Sequence, residues 1–150
     1  MVNTVISHVS EPRTVLSELA RVVRRGGKVA IFDGDYASLT YAHQNVPLGQ
    51  RMDGALADAT FNNPRIMRDL ALLLPLCGLK LAAAWGDAVA EIGHASFFKS
   101  FAETYVPYVI KSGMVPASEA TEWLAEQQRA MDRGTFFACC TYYTFIAERL

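Results

Sequence analysis

The chain has 150 residues, matching about one domain, with 51% hydrophobic and 19% charged residues, a globular and not a disordered balance. Fourteen basic and 15 acidic residues leave a formal net charge of -1, with no basic tract that would suit nucleic acid. No secretory signal follows Met1, no apolar run approaches the roughly 20 residues that span a bilayer, and Cys77, Cys139 and Cys140 read as small buried residues and not as a disulfide framework. These features point to a cytoplasmic protein with no membrane or nucleic-acid partner.

Taken in chain order, Thr4 to Val9 reads as the tail of a strand. Ser10, Glu11 and Pro12 then open a helix. Val15, Leu16, Leu19, Val22 and Val23 recur at helical spacing, and Gly26-Gly27 closes the helix. Lys28 to Phe32 is a short apolar run for a buried strand, in which Val29, Ile31 and Phe32 are expected to lie in a mainly parallel sheet. Asp33-Gly34-Asp35 closes that strand. Tyr36 to Asn62 reads as a loop with one short helix near Arg51 to Ala59. Asn63-Pro64 opens a helix with Ile66, Met67, Leu70, Leu73 and Leu74 on its apolar face and Gly78 at its end. Leu79 to Trp85 is a further strand candidate. A helix follows over Ser96 to Ser112, with Pro107 expected to kink it. The next helix, Pro116 to Arg133, carries Trp123, Leu124, Gln127 and Met131 on one face. Thr135 to Ala147 has strand chemistry. The whole predicts an α/β fold.

The block Ser7-His8-Val9-Ser10-Glu11-Pro12, then Leu16, Glu18, Arg21-Val22, Gly26-Gly27 and Val29 to Asp33 resembles the end of the fourth strand, the following helix and the fifth strand of class I S-adenosylmethionine-dependent methyltransferases. Its pattern is close to the ubiquinone and menaquinone biosynthesis branch; Arg25 stands where that branch usually has Pro. The final Phe136 to Ile146 run is similar to the family's last, antiparallel strand. The resemblance implies a partial Rossmann-like sheet made of the C-terminal strands only, with an inserted helix pair, in a single partial domain over residues 1–150. It implies S-adenosylmethionine as cofactor and a small organic molecule as methyl acceptor. The family's glycine-rich cofactor loop has no counterpart here, because Gly26-Gly27 precedes a strand. The expectation is therefore a chain without the N-terminal, cofactor-binding half: a truncated gene product, a fragmentary reading frame or a deliberately cut piece. Such a chain would bind cofactor weakly or not at all. The alternatives are a non-catalytic remnant that self-associates and a half-enzyme completed by another chain.

Several residues stand where chemistry is expected. By the resemblance, Asn3, Thr4 and His8 pass the methionine end of the cofactor, where His8 would orient substrate or accept a proton; the residue itself reads first as a hydrogen-bonded histidine fixing the loop before Pro12. Asp33, Asp35 and Tyr36 fall at the sheet edge where ligands dock in doubly wound folds, and the two carboxylates read either as a general base whose pKa each shifts for the other, with a shared metal well behind, or as turn residues. Arg51 and Arg68 are candidates to pair with them, against a reading as solvated surface. Arg68, Tyr105 and Tyr143 complete the candidate substrate pocket, the aromatic residues being core in the alternative. No metal set has ligand spacing, and no catalytic residue is assigned. A strand edge left unpaired near Val9 predicts a homodimer through Val5 and Ile6, with Val15 or Leu19 contributing.

Overall fold

The computed structural model describes all 150 residues. The elements run β1 (Val2–Asn3), α1 (Pro12–Val22), β2 (Lys28–Tyr41), α2 (Val46–Thr60), α3 (Ile66–Leu76), β3 (Leu79–Gly93), α4 (Phe97–Ser112), α5 (Ala117–Asp132) and β4 (Phe136–Arg149). The four strands form one sheet in the order β1-β2-β4-β3. β1 and β2 are parallel, with Val2 opposite Ile31 and Asn3 opposite Phe32. β4 runs antiparallel to β2: Gly26 and Gly27 bond Arg149 at one end, and Ala42 N–H donates to Phe137 O at the other. The sheet is therefore mixed, which corrects the expectation of a mainly parallel one. The fold class stands: α/β, a partial Rossmann-like sheet with the helix pair α4–α5 inserted between its last two strands.

Two compact units share the chain. The sheet unit is Met1–Asp35, Asn62–Asp87 and Thr141–Leu150; the helical unit is Tyr36–Phe61 and Ala88–Cys140. In the sheet unit, α1 starts on Pro12, whose missing N–H costs nothing in a first turn. Its Leu16 and Ala20 join Val29 and Ile31 of β2, Met67, Leu70 and Leu74 of α3, and Phe145 of β4 in one core. The Arg149 guanidinium donates to Val23 O at 2.5 Å and Arg21 O at 3.2 Å, placing a cation on the carbonyls that end α1. Phe32, expected in the core, is half-buried and stacks on Tyr142 with ring centroids 5.5 Å apart.

The helical unit packs α4 against both α2 and α5. The Tyr41 ring meets Phe98, Trp123 and Phe136 edge-on, and its hydroxyl donates to Phe98 O at 2.9 Å. Gly113, at φ 73°, ends α4 in the left-handed conformation that glycine adopts without a Cβ clash.

Other boundaries depart from expectation for identifiable reasons. The strand placed at Thr4 to Val9 is a turn, and the paired residues are Val2 and Asn3. β2 does not stop at Phe32 but runs on through Asp33-Gly34-Asp35, because both carboxylates find donors inside the fold, as described below. α2 occupies most of the segment read as loop. Asn45 caps it through Leu48 N–H at 3.1 Å, and Pro47 is tolerated in its first turn. β3 continues to Gly93, and its residues 80–90 are all exposed, among them Leu81, Trp85 and Val89. Ile6, expected at an interface, is fully buried in the core of the sheet unit.

Candidate functional site

In open α/β sheets, ligands bind beyond the carboxyl ends of parallel strands. Here that place is the turn leaving β1. Thr4 N–H donates to Phe32 O at 2.8 Å, which ends the β1–β2 ladder. Thr4 then takes φ 49°, the one positive value at a non-glycine residue, at a cost of about 1–2 kcal/mol. A turn follows, with His8 N–H on Val5 O at 3.0 Å.

Asp33 pins this turn. One carboxylate oxygen accepts from Ser7 N–H at 3.0 Å and the other from Gly34 N–H at 2.8 Å. The segment before α3 holds the turn from its other side. Asn63 N–H donates to Ser7 O at 2.9 Å, and the Asn62 and Asn63 side-chain amides donate to His8 O and Val9 O at 2.5 and 2.6 Å. Asn3, Thr4 and His8 are exposed on this frame, while Ser7 is fully buried.

Asp35, one residue further along the same face of β2, is 4% exposed in its side chain and pairs with Arg68 of α3. Nε and one Nη of Arg68 lie 2.8 and 2.7 Å from the same carboxylate oxygen. That hydrogen bond raises the guanidinium pKa, with smaller electrostatic contributions from Asp35, Tyr143 and Asp69 and an opposing desolvation. Arg68 keeps 40% of its side chain exposed, so a buried carboxylate orients a cation that still reaches solvent. Tyr143 lies on the adjoining part of β4, its ring against Gly86 of β3. A Cβ at Gly86 would stand 2.6 Å from that ring, so any larger residue there requires the ring to move.

The structure thus brings Asn3, Thr4, His8, Asp33, Asp35, Arg68 and Tyr143 into the sheet unit. Tyr36 and Tyr105 belong to the helical unit, in an aromatic cluster of their own. Tyr36 stacks on Phe61 at 3.5 Å, and Tyr105 meets Phe101 edge-on at 4.6 Å. Arg51 does not reach Asp33 or Asp35; it pairs with Glu119. No group of three or more His, Cys, Asp or Glu side chains is placed to hold a metal ion, and no helix is long and apolar enough to cross a membrane.

Two polar residues in the helical unit escaped the sequence reading, and a third was read only as part of a helix face. Asp53 on α2 accepts from Tyr41 N–H at 3.0 Å, and burial pushes its carboxyl pKa up to about 6 against the lowering pull of Thr40 and Tyr41. Burial also pushes Glu91 up, but the N–H groups of Ser96, Phe98 and Phe97 and the Ser96 hydroxyl outweigh it and hold Glu91 below the usual range. Glu91 thereby caps the start of α4 from the end of β3. The third is Gln127, 2% exposed on α5. Its only warning in the sequence was a polar residue on the apolar stripe of Trp123, Leu124 and Met131.

The class this defines is an α/β protein with a methyltransferase-like sheet and a polar turn at the end of its parallel pair. A crystal structure from Bacillus halodurans, described as a "putative methyltransferase", superposes with a TM-score of 0.54 at 14% identity, covering 97% of this chain and 61% of that one. At that identity the likeness is one of fold. The chain is also 25% identical to an uncharacterized 37.1 kDa protein in transposon TN4556 of Streptomyces fradiae, over 96% of this chain and 41% of that protein. It spans less than two thirds of the length of either. No family model matches.

Proposed function

We propose that these residues are the C-terminal strands of an S-adenosylmethionine-dependent methyltransferase, close to the ubiquinone and menaquinone branch, that acts on a small organic acceptor. The observation that carries the reading is the polar turn at the carboxyl end of the β1–β2 pair, braced by Asp33 and Asn63 and exposing Asn3, Thr4 and His8. These side chains fit the amino-acid end of the cofactor, which needs donors and acceptors for an ammonium and a carboxylate. No glycine-rich turn follows a strand and opens a helix among these 150 residues, so the reading assigns the adenosine to residues outside them. The cofactor, when bound, supplies an activated methyl group. This chain's share is alignment: Asp33 holds the turn, and Asp35 orients Arg68 toward an anionic or carbonyl oxygen of the acceptor. For Tyr36 and Tyr105 the acceptor reading rests on the aromatic character of their cluster alone.

An amide-resolved NMR titration with S-adenosylmethionine tests this. The expected result is weak binding, at millimolar ligand, with shifts concentrated at Asn3, Thr4 and His8. Shifts elsewhere only, or none, overturn the reading. Micromolar affinity would contradict the view that most cofactor contacts lie outside these residues.

A second reading, a self-associating chain, is favoured by β3. Its exposed stretch ends the strand order and presents Leu81, Trp85 and Val89. An unpaired apolar edge recruits another strand, most simply as a two-fold dimer. Light scattering that returns a mass near 16.5 kDa at micromolar concentration refutes it.

A further inference from the structure

Ser7, His8 and Val9, which leave the turn after β1, offer three successive backbone carbonyls, and each accepts a hydrogen bond from the dipeptide Asn62-Asn63. Asn63 N–H donates to Ser7 O at 2.9 Å, the Asn62 side-chain amide to His8 O at 2.5 Å and the Asn63 side-chain amide to Val9 O at 2.6 Å. Ser7 N–H is taken by Asp33 at 3.0 Å, and His8 N–H by Val5 O at 3.0 Å. Both backbone groups of Ser7 and of His8 are thus bound, which fixes the dihedrals there and with them the direction in which the exposed His8 side chain leaves the turn. Two of these donors stand 54 positions from their acceptors, so the turn does not supply them itself. Asn62 is itself exposed, so its side chain serves this bond and not the core.

We propose that Asn62 is a positioning residue of the cofactor site: by bonding His8 O it holds His8 toward the amino-acid end of the cofactor, without touching the ligand itself. The inference rests on the cofactor reading of the turn given above. The same segment leads within a few residues into α3 and Arg68, so the donor that sets His8 is tied to the element carrying the cation assigned to the acceptor. A carbonyl that loses its donor at an exposed turn rebonds to water, and the turn then samples other conformations. The direction of His8, and not the fold, is what Asn62 supplies.

Asn62→Asp tests this, because it keeps the shape of the side chain and removes the amide donor. Amide hydrogen exchange and a titration with S-adenosylmethionine are both read by NMR on the variant and the unsubstituted protein. Exchange at Ser7 and His8 is expected to rise about tenfold in the variant, the equivalent of one hydrogen bond, with α1 and β2 unchanged. The ligand-induced shift at His8 should fall to less than about half, while those at Asn3 and Thr4 persist. Asn62→Ala should behave as the Asp variant does, which separates loss of the donor from the added charge. A His8 response that survives in either variant overturns the proposal. So does faster exchange spread evenly through α1 and β2, the mark of a residue that serves only the fold. Failure of the cofactor reading looks different and takes this proposal with it: S-adenosylmethionine then moves no resonance at Asn3, Thr4 or His8 of the unsubstituted protein.

Discussion

Replacing Asp53 by Asn should flatten a fall in stability between about pH 4 and pH 6 that the unsubstituted protein shows. The carboxyl's pKa is raised from its ordinary 3.8 to about 6, chiefly by burial. Below about pH 4 it is protonated in both the folded and unfolded chains and contributes nothing. Between these values the unfolded chain has released the proton while the folded one keeps it, so stability declines as pH rises. Above about pH 6 both are ionised and the whole cost of a buried charge is present. Two pKa units correspond to about 3 kcal/mol; because Asp53 is only partly buried, solvent screening reduces this to about 2 kcal/mol. Asn keeps a carbonyl to accept from Tyr41 N–H, so the variant should be the more stable protein at pH 7 and nearly equal to the parent at pH 4. Urea denaturation of both proteins at half-unit steps reads this directly, since their difference cancels the other carboxylates. A difference that does not change with pH would refute the reasoning.

Glu91→Gln should cost about 1–2 kcal/mol at neutral pH by weakening the charge-assisted cap of α4. Because the Glu91 pKa is lowered, that stabilisation is present above the unfolded value and lost as pH falls, so thermal melts of the two proteins should converge in acid. Gly86→Val should destabilise by about 1–3 kcal/mol through collision with the Tyr143 ring, and Tyr143→Ala should recover part of that loss in a double-mutant cycle. Arg68→Leu should cost about 1–3 kcal/mol in denaturant titration by leaving the Asp35 carboxylate buried without its cation; an unchanged midpoint would show that the pair contributes nothing to the fold.

Local chemistry alone determined a good part of this protein. The step from Pro12 through Gly26-Gly27 to the Val29–Ile31 run names a helix feeding a buried strand, because Pro, glycine and apolar spacing act within a few residues of where they stand. Met67, Leu70 and Leu74 at helical spacing foretold the face that α3 buries, and Gly113 the end of α4. Strand lengths were beyond that reach. Whether Asp33 and Asp35 end a strand or lie within one depends on Ser7 and Arg68, 26 and 33 residues away. The placement of β4 between β2 and β3, which makes the sheet mixed, is likewise settled by partners far apart in the chain, such as Gly26 with Arg149 and Gly78 with Leu150. The candidate site divides in the same way. Asn3, Thr4 and His8 were candidates through a family resemblance, but the brace that presents them, the Asp35–Arg68 pair and the buried oxygen of Gln127 exist only after distant segments meet. Hydrogen-bond satisfaction of a buried polar group is a property of its neighbours in space, and a sequence states only its neighbours along the chain.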